Sequence, residues 1–292
     1  MARKPKTFDS DIPKAEPGVF AGLTFDQYAA IDAVNASVLK PFRRSPAHAL
    51  NKMIAPDPPS RALVIGQALH SRLFDDNWHN DYTVAPKIDR RTKAGKAKWA
   101  EFEANAEGKI ILTSDEHTDV CEWSNAVISQ GGDATQLIKA KGHNELTVVW
   151  EDPKTQLMCK ARLDRVVQWN EWTCVVDVKT TTDASYWSFE KAVHQYGYHE
   201  SASWYLDGLN AHHQRDRKYI FIVIEKTTLP HGANVTQFQL EQDALDQGRR
   251  NMRRYLNLYA RCRMEQKWPG YSDKLEAISI PRYGFDAEGN LD

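Results

Sequence analysis

Two aspartates and a lysine lie close together in Cys159–Thr182, CKARLDRVVQWNEWTCVVDVKTTT, in a pattern that could support chemistry. Val, Trp, Thr and Leu dominate both halves of this stretch and suit β-strands, with a tight reversal at Asn170-Glu171. A hairpin folded symmetrically about that bond sets Asp164 directly across from Asp177. Period-two alternation then puts Lys179 on the face of Asp177 and leaves Val176 and Val178 on the other. Directly opposed side chains have Cβ atoms about 5 Å apart, and like charges there repel. Facing carboxylates therefore call for a cation, and hard divalent cations take carboxylate oxygens. The neighbouring ammonium supplies a donor for a water or an anionic oxygen. Together these groups form an arrangement for metal-dependent phosphodiester cleavage. A plainer reading stands beside it. Asp and Lys two apart on a strand are commonly a solvated pair, Asn-Glu is not the favoured Asn-Gly turn, and a bulge would shift the pairing.

The totals bound the class. The chain has 292 residues, 41% hydrophobic and 26% charged, with a formal net charge of −1. That describes an ordinary globular protein with room for one large domain or two small ones. No apolar run approaches a membrane span. The first residues, MARKPKTFDSDIPKAEPG, lack the apolar core of a secretory signal, so we expect a cytoplasmic protein with no membrane partner. Cys121, Cys159, Cys174 and Cys262 are scattered without a C-x-x-C pair, which argues against a zinc ribbon or an iron–sulfur cluster. No G-x-x-x-x-G-K-[ST] stretch suggests ATP use. With so little net charge, any DNA-binding surface must concentrate its cations locally.

Several elements must position the three residues. We expect residues 1–34 to form a mobile arm, 35–270 a single domain and 271–292 a surface tail; the first twenty or so residues mix Pro, Lys and Asp without period. ALVIGQALHSRLFD, residues 62–75, reads as an apolar helix with Leu63, Gly66, Leu69 and Leu73 on one stripe and His70 beside it. Gly66 would permit close approach of another backbone, and a lone histidine on such a helix is ordinarily a core or boundary residue. KIDRRTKAGKAK, residues 87–98, sets six basic residues against Asp89. It is either a solvated charged face or a phosphate-tracking segment, on a flexible loop leading into a helix. HNELTVVWEDPKTQLMCKARLDRVV reads as a hairpin into the focal strand, in which Glu145 is either an exposed strand end or a third acid beside Asp164 and Asp177. Two aromatic-rich helices separated near Gly197 follow, whose rings either pack on the sheet or stack bases. RKYIFIVIEKT is apolar enough for a central strand covered on both faces. In the long final helix, Leu245, Met252, Leu256 and Tyr259 face the core, and Arg249, Arg250, Arg253 and Arg254 form a solvated face.

These residues form a recognisable set. GQALH (66–70), ELTVVW (145–150), KARLDRV (160–166), VVDVKTT (175–181) and YGYHESASWYLDG (196–208) occur in the order of the RecE-type exonucleases. Those enzymes are a RecB-like, often phage-encoded branch of the PD-(D/E)XK nucleases. SVLKPFRRSPAHAL and RRTKAGKAKW also resemble that family, and the likeness spans roughly residues 35–265. It implies an α/β fold with a PD-(D/E)XK core, a central mixed β-sheet flanked by helices. His70, Asp164 and Asp177 match the metal-binding positions, Lys179 the catalytic lysine, and Glu145 resembles an upstream acid, so the implied catalytic set is Lys179, Asp177, Asp164 and Glu145. Tyr205 falls at the tyrosine of a Q-x-x-x-Y helix motif whose glutamine position holds Ser201, a departure that bears on substrate contact rather than on metal chemistry. Candidate substrate contacts are Tyr205, Ser201, His199, Arg91, Lys93 and Lys96. The implied cofactor is Mg²⁺, with Mn²⁺ able to substitute. The implied activity is 5′→3′ digestion of linear double-stranded DNA from an end, leaving 3′ single-stranded DNA for a strand-annealing partner. A homo-oligomeric ring, trimer or tetramer, in the cytoplasm of a bacterial host is implied as well. An endonuclease of the same fold and a non-catalytic DNA-binding assembly protein are the rival readings.

Overall fold

Runs of β-branched and aromatic residues long enough to bury both faces set the frame of the molecule. The computed structural model describes residues 6–7, 15–75, 78–229 and 232–284. In chain order, β1 (Lys6–Thr7) and β2 (Gly18–Ala21) precede α1 (Phe25–Ala30), α2 (Ala36–Leu39), α3 (Pro46–Ile54) and α4 (Arg61–Phe74). Then come β3 (Tyr82–Val84), α5 (Lys93–Asn105), β4 (Ile110–Leu112), α6 (Ser114–Ser129) and α7 (Gly132–Lys139). The meander β5 (Gly142–Glu151), β6 (Met158–Trp169) and β7 (Trp172–Thr181) follows, and α8 (Tyr186–Gln195) with α9 (Tyr198–His212) crosses over to β8 (Arg217–Leu229). β9 (Gly232–Gln239) and α10 (Gln242–Glu265) follow, and a 3₁₀ turn, Arg282–Gly284, ends the described elements.

Seven strands form one mixed sheet in the order β1-β2-β5-β6-β7-β8-β9. β5, β6 and β7 pair antiparallel, β7 and β8 parallel, and β8 and β9 antiparallel. Strand β8 shows why its sequence carries no polar alternation. Tyr219, Phe221 and Val223 pack into the layer of α9 and α10, while Ile220, Ile222 and Ile224 pack into the layer of α4, α6 and α7. β3 and β4 make a separate two-stranded parallel ladder.

The N-terminal expectation is corrected. Residues 18–34 are not an arm. β2 pairs antiparallel with β5 through Gly18↔Val149 and Phe20↔Thr147, and Phe20, Leu23, Ile31 and Val34 are buried. Thr24 and Gln27 close a capping box on α1. A four-residue strand and a six-residue helix are too short to show a period. Their anchor lies far along the chain. Lys160 on β6 is buried, and its Nζ donates to the carbonyls of Tyr28, Ala29 and Ile31 at 2.9, 3.1 and 2.8 Å. A lysine placed this way satisfies all three of its donors and the open carbonyl end of α1.

Three other expectations change. Gly66 makes no close backbone contact, since a Cβ there would meet nothing within 4 Å. Gly95 is the glycine that packing demands, with an added Cβ falling 1.9 Å from the Asp89 carbonyl oxygen. The basic loop is partly helix, because Thr92 caps α5 two residues after Arg90 and brings Lys93 and Lys96 into its first turns. Arg249 and Arg253 do not belong to a solvated face either. Arg249 pairs with Asp207 and Asp246, and Arg253 with the buried Asp152, tying α10 to α9 and to the β5–β6 turn. Residues 271–281 are exposed and carry no helix or strand.

Replacing Lys160 with methionine leaves three carbonyls without their donor, at a cost of about 2 kcal/mol. The expected result is a lowered melting temperature together with faster amide exchange over residues 18–34 than over β7 and β8. Unchanged exchange in that segment would show that the lysine does not anchor it.

Candidate metal centre

The focal hairpin pairs in the symmetric register, from Trp169↔Trp172 to Arg165↔Val176. The reversal is made by Asn170 in the left-handed region, φ 51°, a conformation that asparagine tolerates better than most residues. The recorded β6–β7 ladder ends at Arg165↔Val176. From there β6 runs on beside β5, with Leu163 against Leu146, and β7 beside β8, with Asp177 against Phe221. Asp164 and Asp177 are the first residues beyond that last pair, at the fork between the two strands.

A backbone irregularity aims Asp164. Glu145 stands across from it, between the pairs Asn144↔Arg165 and Leu146↔Leu163, and takes φ 52° inside a strand. Alternation breaks at that level. Leu146 and Leu163 point into the α9 layer, yet Asn144 donates to the Phe74 carbonyl at the end of α4, and Arg165 donates to the carbonyls of Leu137 and Ala140 at the end of α7. Side chains two apart in sequence thus leave opposite faces of the sheet, and Asp164 sits at the switch.

Helix α4 brings the third group. His70 Nε2 lies 2.9 Å from the Val178 carbonyl oxygen. A carbonyl only accepts, so Nε2 carries a proton, which leaves Nδ1 as the ring atom available to a ligand. That Nδ1 is 3.3 Å from Asp164 Oδ2. One ligand atom from each of His70, Asp164 and Asp177 lies within 4.8 Å of the others. Nδ1 and two carboxylates converging on this gap suit a cation between them, and a metal-binding histidine ordinarily gives its other N–H to a carbonyl. The donor set, one imidazole and two carboxylates, fits a divalent ion of the Mg²⁺ or Mn²⁺ type.

The remaining contacts hold Asp177. Lys179 Nζ donates to its Oδ1, and Tyr219 Oη donates to Oδ2 at 3.0 Å. Lys179 also sits 5.3 Å from the Tyr198 ring centroid. The two aspartates titrate in opposite directions. Burial pushes the Asp164 carboxyl up, and Asp177 and Glu145 add to this against His70 and Lys179. Burial also opposes ionisation of Asp177, but Lys179, His70 and Tyr219 outweigh it and hold its carboxyl low. The centre remains reachable: His70, Asp164 and Lys179 each keep 22–25% of their side-chain surface in solvent, and Asp177 keeps 9%.

His70, Asp164, Asp177 and Lys179 are thus brought together. Glu145 comes alongside Asp164, but its carboxylate is held by Arg162 and lies outside the three-ligand group. Tyr205 lies against the centre. Burial raises its phenol and the charges of Asp164 and Asp177 raise it further. Ser201 is occupied by Lys40, whose Nζ donates to Oγ at 3.1 Å. His199 is corrected. It is buried, and its Nδ1 donates to the Val193 carbonyl at 3.1 Å, so it packs α9 on α8 rather than meeting a substrate. Arg91, Lys93 and Lys96 are exposed, Arg91 pairing with Asp89, and none of the three bonds to an acid of the centre. Sequence reasoning passed over Tyr219, whose hydroxyl is hidden in an unbroken apolar run, and Lys40, whose neighbours gave no chemical pattern.

Known proteins bear this fold out. Among solved structures, nine chains match. A putative exonuclease from Eubacterium rectale is 12% identical, covers 91% of this chain and 98% of its own, and has a TM-score of 0.58. A second, SSO0001, is 13% identical over 65% of this chain and 82% of its own, with a TM-score of 0.28 that carries no weight. No curated protein matches. Residues 35–281 match the family described as a PDDEXK-like domain of unknown function (DUF3799). The match spans most of the chain, and this chain belongs to that PDDEXK-like family.

Proposed function

We propose that this protein is a metal-dependent exodeoxyribonuclease that hydrolyses phosphodiester bonds of linear duplex DNA from an end. The observation that carries the reading is the convergence of His70, Asp164 and Asp177 within 4.8 Å, with the Lys179 ammonium bonded to Asp177. The exonucleolytic part rests on the resemblance of five ordered motifs to RecE-type enzymes and on the name of the E. rectale neighbour. The same resemblance supports Mg²⁺ as the ion, 5′→3′ polarity, a ring of subunits around DNA and delivery of 3′ single strands to an annealing partner in recombination.

A divalent ion held here supplies Lewis acidity toward a phosphoryl oxygen and acidifies water. The chain's own residues do the rest. The Val178 carbonyl fixes the His70 ring so that Nδ1 faces the ion site. Tyr219 fixes Asp177 through Oδ2, and Lys179 bonds its Oδ1. Lys179 then presents a positive donor next to the ion, where it can orient the attacking water or stabilise charge growing on the phosphate oxygens. Tyr198 stands beside this ammonium, and Tyr205 packs near Tyr219 with its phenol pushed up by burial and by the two aspartates.

Two experiments test this. Lys179→Ala is expected to lose about 10²–10³-fold in Mg²⁺-dependent nucleotide release from end-labelled linear duplex at saturating protein. Covalently closed circles should survive the parent protein, and EDTA should stop all release; nicking of circles would favour an endonuclease, and equal activity of parent and variant would defeat the assignment. Asp164→Asn removes a carboxylate that burial disfavours. It should raise the metal-free melting temperature by roughly 2–4 °C, as for about 1 kcal/mol, and abolish the upward shift that Mn²⁺ gives the parent. A variant that still responds to Mn²⁺ would place the ion elsewhere.

A further inference from the structure

Lys40 stands at the junction of α2 and a short 3₁₀ turn, Lys40–Arg43. Its direction is imposed by its neighbours, since Leu39 and Phe42 are both buried in the core on the α9 side. The side chain therefore runs toward the start of α9, one helical turn before Tyr205, where Nζ donates to Ser201 Oγ at 3.1 Å. Space has been cleared for it. Gly197 takes φ +62°, and a Cβ there would sit 3.1 Å from Lys40 Cε and 2.5 Å from Glu200 Oε2. Glu200 is buried and is held by Tyr255 Oη and Asn251 Nδ2.

The ammonium of Lys40 is short of partners. Among the described residues no carboxylate oxygen lies within the 4.0 Å of an ion pair, and Ser201 takes one donor of three. Ser201 Oγ accepts that bond, and its own proton meets no acceptor among the described residues. Burial lowers the pKa of Lys40, Glu200 and Asp177 oppose the fall, and Lys179 adds to it, so the two ammoniums feel each other. Geometry places them together, since the Tyr198 ring lies 5.3 Å from Lys179 Nζ and the preceding Gly197 abuts Lys40 Cε. Two like charges at one helix start are stable together when an anion lies between them.

We propose that Lys40, steadied by Ser201, forms with Lys179 a two-ammonium subsite for a non-bridging oxygen of the DNA backbone. This rests on the nuclease reading and adds a binding group to it. Ser201 contributes a hydroxyl donor beside Lys40, so the subsite offers charge and hydrogen bonds together. A substrate phosphate entering it is drawn toward the metal centre from the α9 side.

The test uses the full chain with Ca²⁺, conditions chosen so that binding is read without cleavage, and a duplex in which single phosphates of one strand are replaced in turn by neutral methylphosphonates. The parent should lose about 10- to 100-fold in affinity at one linkage. Lys40→Met keeps the apolar stem, should bind the unmodified duplex more weakly, and should lose less than the parent at that linkage, where Lys179 remains. Lys40→Arg should restore most of the binding, and the Mn²⁺-induced melting shift should be unchanged in both variants. Should Lys40→Met not fold, Ser201→Ala reads the same linkage with a smaller factor. Identical scans for parent and variant, or loss of the Mn²⁺ shift in Lys40→Met, overturn the subsite. A parent that binds with this footprint yet cleaves nothing in Mg²⁺ defeats the nuclease reading and leaves the subsite standing.

Discussion

Two carboxylates forced together at the fork of a sheet are the constraint around which this molecule is arranged. With their oxygens within 4.8 Å, Asp164 and Asp177 repel by about 3–4 kcal/mol at an effective dielectric near 20. A single charge-assisted hydrogen bond returns roughly 1.5–3 kcal/mol, and Asp177 takes two bonds, from Lys179 and Tyr219. Among the described residues Asp164 pairs with Nδ1 of His70, whose Nε2 is committed to Val178. The imbalance shows in the opposite titration of the two acids. A cation in the gap relieves both acids at once, which is why the arrangement is chemically useful rather than merely strained.

The basic residues of β6 hold the surroundings of that fork in place. By composition KARLDRV looks like a surface for nucleic acid. In the fold Lys160 closes the carbonyl end of α1, and Arg165 closes that of α7, each placing a cation where a helix is electronegative. Arg162 binds Glu145 and the Leu23 carbonyl. Three cations flanking Asp164 in sequence thus secure the N-terminal cover, strand β5 and the opposite helical layer. Such internal bracing keeps metal ligands at fixed separations.

Some of the functional reading was legible because it depends on short-range order. The hairpin register follows from one two-residue reversal and an unbroken period of two, and both persist in the structure. The apolar density of β8 likewise required a central strand, and α4 forms as a helix, though Leu63 at the head of its expected stripe is exposed while Ala68, Leu69 and Phe74 are buried. Glu145 shows where that reasoning stops. Its place opposite Asp164 was readable, but the left-handed backbone and the pull of Arg162 that turn its carboxylate away were not. His199, a candidate substrate contact, and Arg253, expected on a solvated face, follow the same rule: the Val193 carbonyl and the Asp152 carboxylate that hold them lie on other elements.

The sequence by itself determined which strands carry the acids, that Lys179 shares a face with Asp177, and the superfamily to which the chain belongs. These depend on residue type, spacing and motif order within segments. Only the tertiary structure decided that β6 and β7 part just beyond Arg165 and Val176, that α4 delivers a histidine into the gap, and that Lys40 reaches Ser201 from 161 residues away. Such contacts depend on how layers pack and where a strand changes partner. Those outcomes are set by the whole core, and no local period encodes them.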